Sequence, residues 1–125
     1  MNDHSLQAPF IYEFYSKVLK SRRISEDYLA IESQRNELLY SKKKIEVESF
    51  GAKSRVDNRS SRSIATIAKR GVTSAKTSQL LSRIIGMYNL DNIIELGTSL
   101  GLNTMYMAID QRKTLATFEG CNQTL

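Results

Sequence analysis

The chain contains one cysteine, one histidine, one proline and no tryptophan in 125 residues. Cys121, standing alone, excludes an internal disulfide and any cysteine-cluster metal site. His4 sits in a terminal stretch that reads as frayed, so it is taken as an ordinary exposed residue. With a single histidine there is no Cys–His or Ser–His–Asp arrangement to build, and no zinc site. No apolar run approaches the ~20 residues of a membrane-spanning helix. Met1-Asn2-Asp3-His4-Ser5 lacks the charged-then-apolar pattern of a signal peptide, and the setting expected from these absences is the cytoplasm, with no membrane partner. Internal repeats and low-complexity tracts are absent too.

What remains is a composition of 41% hydrophobic and 25% charged residues. That is the balance of a soluble globular protein, and the length suits one domain around one core. The net charge is +5, unevenly spread. Lys53 to Arg83 carries eight basic residues against the single acid Asp57. Such a stretch suits a phosphate backbone or an acidic substrate. No aromatic side chains interleave with it, as a single-strand platform would require. Solvated helix faces are therefore the preferred reading, and nucleic acid the less favoured partner.

Taken in order, Pro9 suits a first helical position. Ile11, Phe14, Tyr15 and Val18 follow at helical spacing, predicting an amphipathic helix to about Ser21. Ser25 reads as an N-cap followed by Glu26 and Asp27 in the favourable first turn. That second helix is expected to run to about Tyr40, with Tyr28, Ile31 and Leu38 inward. Ile45-Glu46-Val47-Glu48 alternates like a short half-exposed strand, suited to a hairpin or an oligomer contact. Phe50 to Ser61 has no periodicity and reads as a loop. A short helix with Ile64, Ile67 and Ala68 inward stops at Gly71. Ser74 then caps a helix in which Leu81, Ile84, Ile85 and Tyr88 share a face.

The most informative stretch follows. Asn92 to Leu96 reads as a buried strand, Gly97 as a sharp turn with positive φ, and Gly101 as the opening of a helix. Leu102, Met105, Tyr106 and Ile109 lie on one face of that helix. Met107 is read as helix packing. A strand, a tight glycine loop and a helix start leave backbone N–H groups facing whatever binds above the strand. The spacing is G-x-x-x-G, whereas a dinucleotide fold prefers G-x-G-x-x-G; the missing middle glycine argues against a dinucleotide-binding oxidoreductase. Glu95, two residues before the first glycine, needs a partner if it is buried. That partner is either a ligand's ammonium group or a neighbouring cation such as Arg83 or Lys113. Lys113 to Gly120 reads as a second strand ending in the acid Glu119, near the offset at which such acids meet ribose hydroxyls. Cys121, just past it, reads as a small half-buried hydrophobe.

Glu95-Leu96-Gly97-Thr98-Ser99-Leu100-Gly101, with Thr117-Phe118-Glu119-Gly120, resembles class I S-adenosylmethionine-dependent methyltransferases. The branch it is most similar to is that of the caffeoyl-CoA and catechol O-methyltransferases and their bacterial relatives. Thr73 to Leu81 is similar to the helix that precedes the first strand in that branch. The resemblance spans about residues 72 to 122. It implies an α/β, Rossmann-like methyltransferase fold over 72–125, present in part, preceded by a helical region over 1–71 with a short strand near 45–48. It implies S-adenosylmethionine as cofactor and methyl transfer to a small-molecule oxygen or nitrogen. Gly97 and Gly101 would let the backbone approach the cofactor. Glu95 would orient the methionine ammonium, Thr98 and Ser99 would meet its carboxylate, and Glu119 would accept from the ribose hydroxyls. That family carries a seven-stranded sheet, and this chain ends after two of its strands. The expectation is thus a cofactor-binding half or a truncated gene product, without the catalytic or metal-binding acids. The open edge of the first strand predicts a homo-oligomer. The competing expectation is a non-catalytic module whose basic surface binds a partner or RNA.

Overall fold

The computed structural model describes residues 8–21, 25–47 and 61–124. His4 and nearly all of the loop expected over Phe50 to Ser61 lie outside them. Helix α1 spans Pro9–Phe14, with proline at its first position where no N–H is needed. It continues as a π-helical turn, Tyr15–Leu19, closed by Lys20 N–H donating to Tyr15 O at 2.8 Å. The expected single amphipathic helix is corrected here. Val18 is fully buried, but Ile11 is 48% exposed. Phe14 and Tyr15, also expected inward, are half-buried, so the expected face is covered at its π-helical end and open at Ile11 in the first turns.

Helix α2, Glu26–Leu39, starts where Ser25 Oγ accepts the Tyr28 N–H at 3.3 Å. This satisfies one orphan donor of the first turn. Tyr28, Ile31, Arg35 and Leu38 follow at helical spacing, and the first three are buried. Arg35 is a charge on an apolar stripe, held by Glu32 at 3.0 Å. Strand β1 is Lys44–Glu46, starting one residue before the expected Ile45 and leaving out Val47, while the expected end, Glu48, lies outside the described residues; it buries only Ile45. It pairs antiparallel with β2, Ser61–Ser63, so Ser61 is the first residue of a strand and not the end of a loop. The sequence Ser-Arg-Ser carries no apolar alternation to announce a strand.

Helix α3, Ile64–Arg70, is capped by Ser63 and ends at Gly71. Helix α4, Ala75–Tyr88, is capped by Ser74, and Asn89 closes it in the left-handed conformation. Ile85 is buried on the expected face, but Tyr88 lies 39% exposed, its ring 6.2 Å from that of Phe10. Strand β3, Asn92–Leu96, leads through the glycine loop to α5, Leu102–Met107, and then to β4, Thr114–Phe118. β3 and β4 pair in parallel, from Asn92↔Thr114 to Leu96↔Phe118. Over the described residues the chain is therefore an α/β protein with two small sheets.

One core ties the helices to this unit. Tyr28 and Ile31 of α2 pack with Leu102 and Tyr106 of α5, and Val72, Met105 and Ile109 lie against them. Fully burying a side chain such as Leu102 contributes roughly 1.5–3 kcal/mol. The expectation of a buried β3 is corrected. Ile94 is 73% and Leu96 82% exposed. Ile93 and Glu95 lie on the covered face, while the opposite face has no helix or strand over it among the described residues. An apolar run signals a strand covered on both faces, and here only one face is covered.

Candidate functional site

The site is built on the loop from Gly97 to Gly101. Gly97 has φ +96° and Gly101 φ +72°, conformations that a Cβ resists. Chain neighbours aside, no atom of the described residues lies within 4 Å of where either Cβ would stand, so the space over both glycines is open. Ser99 also adopts positive φ, at +51°. The loop is tied down by its own amides. Gly97 and Thr98 donate to Phe118 O at 2.7 and 3.3 Å, and Gly101 donates to Thr98 O at 2.9 Å. Ser99 N–H donates to the Glu119 carboxylate at 2.6 Å. Four amides expected to face a ligand are thus engaged within the protein, and they fix the loop instead.

Glu95 is 8% exposed. A carboxylate removed from water needs donors or a cation. Its Oε1 accepts from Asn103 Nδ2 at 2.8 Å, and Oε2 accepts from the hydroxyls of Thr104 and, at 2.8 Å, Thr117. Thr117 Oγ1 also lies 2.6 Å from Thr98 Oγ1, joining the acid to the loop. Neither cation considered from the sequence pairs with it. Arg83 Nε donates to Val18 O at 2.8 Å, and Lys113 binds Asn89 and Asp91.

Glu119 lies just past β4. It accepts from Cys121 N–H at 2.9 Å as well as from Ser99. The Cys121 amide first, then the Ser99 amide, hold its carboxyl below the usual carboxylate value. The Gly120 amide favours the ionised form as well. Cys121 itself is buried, at 3% exposure, where a half-buried residue was expected; its Sγ lies 3.7 Å from Glu46 O, linking the end of β4 to β1.

A cavity of about 150 Å3 opens between the glycine loop and the segment Gly71–Thr73. That is roughly five water volumes, the size of a small polar group. Glu95, Gly97, Thr98 and Ser99 line it, all of them candidates from the sequence. Gly101 and Glu119 do not line it: Gly101 opens α5, and Glu119 holds the loop through Ser99. Val72, Thr73 and Asn103 line it as well, and sequence reasoning missed all three. Asn103 Oδ1 is buried with no hydrogen-bond partner among the described residues. The clue was available, since Asn103 and Thr104 are adjacent polar residues in the first turn of a helix whose other side chains are mostly apolar.

The arrangement offers acceptors, two carboxylates and an unpaired amide oxygen, around a fixed loop. It suits a ligand rich in donors, such as an ammonium group and hydroxyls. Among the described residues, no three His, Cys, Asp or Glu side chains cluster as a metal site would, and no helix is long and apolar enough to cross a membrane. No family model, curated protein or solved structure matches this chain.

Proposed function

We propose that the chain binds S-adenosylmethionine and serves as the cofactor-binding portion of a methyltransferase acting on a small-molecule hydroxyl or amine. In this reading β3, α5 and β4 are the opening unit of a Rossmann-like methyltransferase fold. The observation that carries it is the Glu119 carboxylate, ionised and fixed at 2.6 Å on the Ser99 amide of a G-x-x-x-G loop. The parallel pairing of β3 and β4 supports it, because it brings the acid and the glycines to the same end of the sheet.

The residues fit the cofactor's chemistry. Open space stands over Gly97 and Gly101, which admits a close approach to the backbone. The buried, unpaired Asn103 Oδ1 suits an ammonium donor. Glu95 orients Asn103 through its amide nitrogen, and so acts on the ligand through that side chain. Thr98 and Ser99 line the same cavity. The ionised Glu119 carboxylate, an acceptor only, suits a hydroxyl donor. When bound, the cofactor supplies a sulfonium methyl that passes to the acceptor's lone pair, leaving a neutral thioether as the acceptor loses its proton. The protein's part is to hold and align the reactants, which is where most of the rate gain of such a displacement arises.

Calorimetric titration with S-adenosylhomocysteine tests the reading. Binding is expected, weakened about tenfold or more in Glu119→Ala, with no heat from NAD. A folded wild-type chain that gives no heat with S-adenosylhomocysteine overturns it.

A further inference from the structure

A second cavity, of about 630 Å3, lies against the other end of α5, where Ile109 follows the helix. Its volume falls within the range of small-molecule sites. The π-helical turn, the start of α2 and the last turns of α4 form its walls. Arg83 reaches it from α4. Its Nε donates to Val18 O at 2.8 Å, which positions the guanidinium, while its two terminal nitrogens have no partner among the described residues. Asp27, in the first turn of α2, lines the same cavity and forms no ion pair among the described residues, with Arg83 or with anything else. Tyr28 is only 8% exposed and also lines it, and its hydroxyl has no partner among the described residues. Among the described residues the other charge on this wall is Lys17, already paired with Glu13 at 2.6 Å.

An unpaired cation and an unpaired anion facing one cavity select a dipolar ligand. A simple anion would bind Arg83 but meet Asp27. A simple cation would bind Asp27 but meet Arg83 and Lys17. The guanidinium's planar fork matches a carboxylate at two points. Met87 and Ile109 supply an apolar surface beside the Tyr28 ring. We propose that this cavity binds a small zwitterion of the amino-acid type, its carboxylate on Arg83, its ammonium on Asp27 and its side chain on Met87 and Ile109. This site is separate from the glycine loop and does not depend on the cofactor reading.

The test uses L-phenylalanine as probe, with 3-phenylpropanoate and 2-phenylethylamine as analogues that each lack one charge. Backbone amide resonances are followed by NMR during titration. Phenylalanine is expected to move the resonances of Ser82, Arg83 and Met87, leave those of Gly97 to Gly101 in place, and bind about tenfold tighter than either analogue. Asp27→Asn is expected to weaken phenylalanine about tenfold and to leave 3-phenylpropanoate unweakened. Because Arg83 also holds the Val18 carbonyl, the exposed Asp27 is the variant that decides. No shifts around Ser82 to Met87, equal binding of 3-phenylpropanoate, or an Asp27→Asn variant that binds phenylalanine as well as wild type would each overturn the proposal.

Discussion

The backbone N–H of Ser99 donates to the Glu119 carboxylate at 2.6 Å, across a separation of 20 residues. The glycine loop and the tip of β4 are therefore one unit. Phe118 O receives two further loop amides one residue earlier, so three successive N–H groups, from Gly97 to Ser99, converge on two adjacent residues. Anything that loosens the end of β4 loosens the loop.

Glu119 gives this unit a pH dependence. Its carboxyl is held below the ordinary value of 4.5, so the folded state favours the ionised form. The stability it contributes is fully present above that ordinary value and is lost as pH falls through the folded pKa. Glu119→Gln removes the titration. Denaturant midpoints at pH 7 and pH 4 are expected to lie closer together in the variant than in wild type. An unchanged spacing would show that the carboxylate contributes nothing through ionisation.

The second acid is sensitive to its donors. Thr117→Val removes one of three hydrogen bonds to the buried Glu95 and also the link to Thr98. A loss of about 1–3 kcal/mol is expected, because a buried charged acceptor is left short of a donor. Thr114→Val, on the exposed end of the same strand, is expected to change stability by less than about 0.5 kcal/mol. Urea titration of the two variants makes the comparison, and equal effects would remove the special status of Thr117.

Tyr106 joins the core to a polar network. Its ring lies 5.1 Å from that of Tyr28, and its hydroxyl donates to Glu32 at 2.7 Å. Burial is the main reason its hydroxyl resists ionisation, and the Glu32 carboxylate adds to this. Tyr106→Phe keeps the packing and drops the bond to Glu32 and the long one from Gln79, so a loss of about 1.5–3 kcal/mol is expected, the range for a bond to a charged group. Tyr106→Ala also opens a cavity and is expected to cost about 3–5 kcal/mol. A thermal melt of the Phe variant that matches wild type would show that Glu32 is equally well served by Arg35.

The uncovered sheet face predicts association. Ile94, Leu96 and Phe118 are 73%, 82% and 58% exposed, and β3 has no pairing partner on its outer edge among the described residues. No charged side chain stands on that face of either strand to discourage pairing with a second copy. Sedimentation is expected to show concentration-dependent self-association, suppressed in Ile94→Lys with little change in helical content. A monodisperse wild-type monomer would end this expectation.

Short-range physics was legible in the sequence. Ser25 and Ser74 cap helices because a hydroxyl can reach an amide three residues on, whatever the rest of the chain does. Gly97 adopts the positive φ expected of it because the turn needs it and glycine tolerates it freely, while the positive φ of Gly101 was not announced. The bounds of β3 and the inward Leu102, Met105 and Tyr106 of α5 followed from apolar spacing, although the helix ends at Met107, before the Ile109 placed on the same face. The candidates Glu95, Gly97, Thr98 and Ser99 do line one cavity.

What the sequence by itself determined is the local grammar, namely where helices start, where the loop turns and which residues avoid water. Only the tertiary structure decided what the polar groups touch. Glu95 is served by Asn103, Thr104 and Thr117 in place of a cation, the loop amides serve Phe118 and Glu119, and Arg83 turns to Val18 O. The same holds for the exposed face of β3, whose apolar run reads alike whether one face is covered or two. A backbone hydrogen bond within a turn is fixed by neighbours along the chain. A buried carboxylate's donors are fixed by whichever side chains packing brings within 3 Å, and that is a property of the fold.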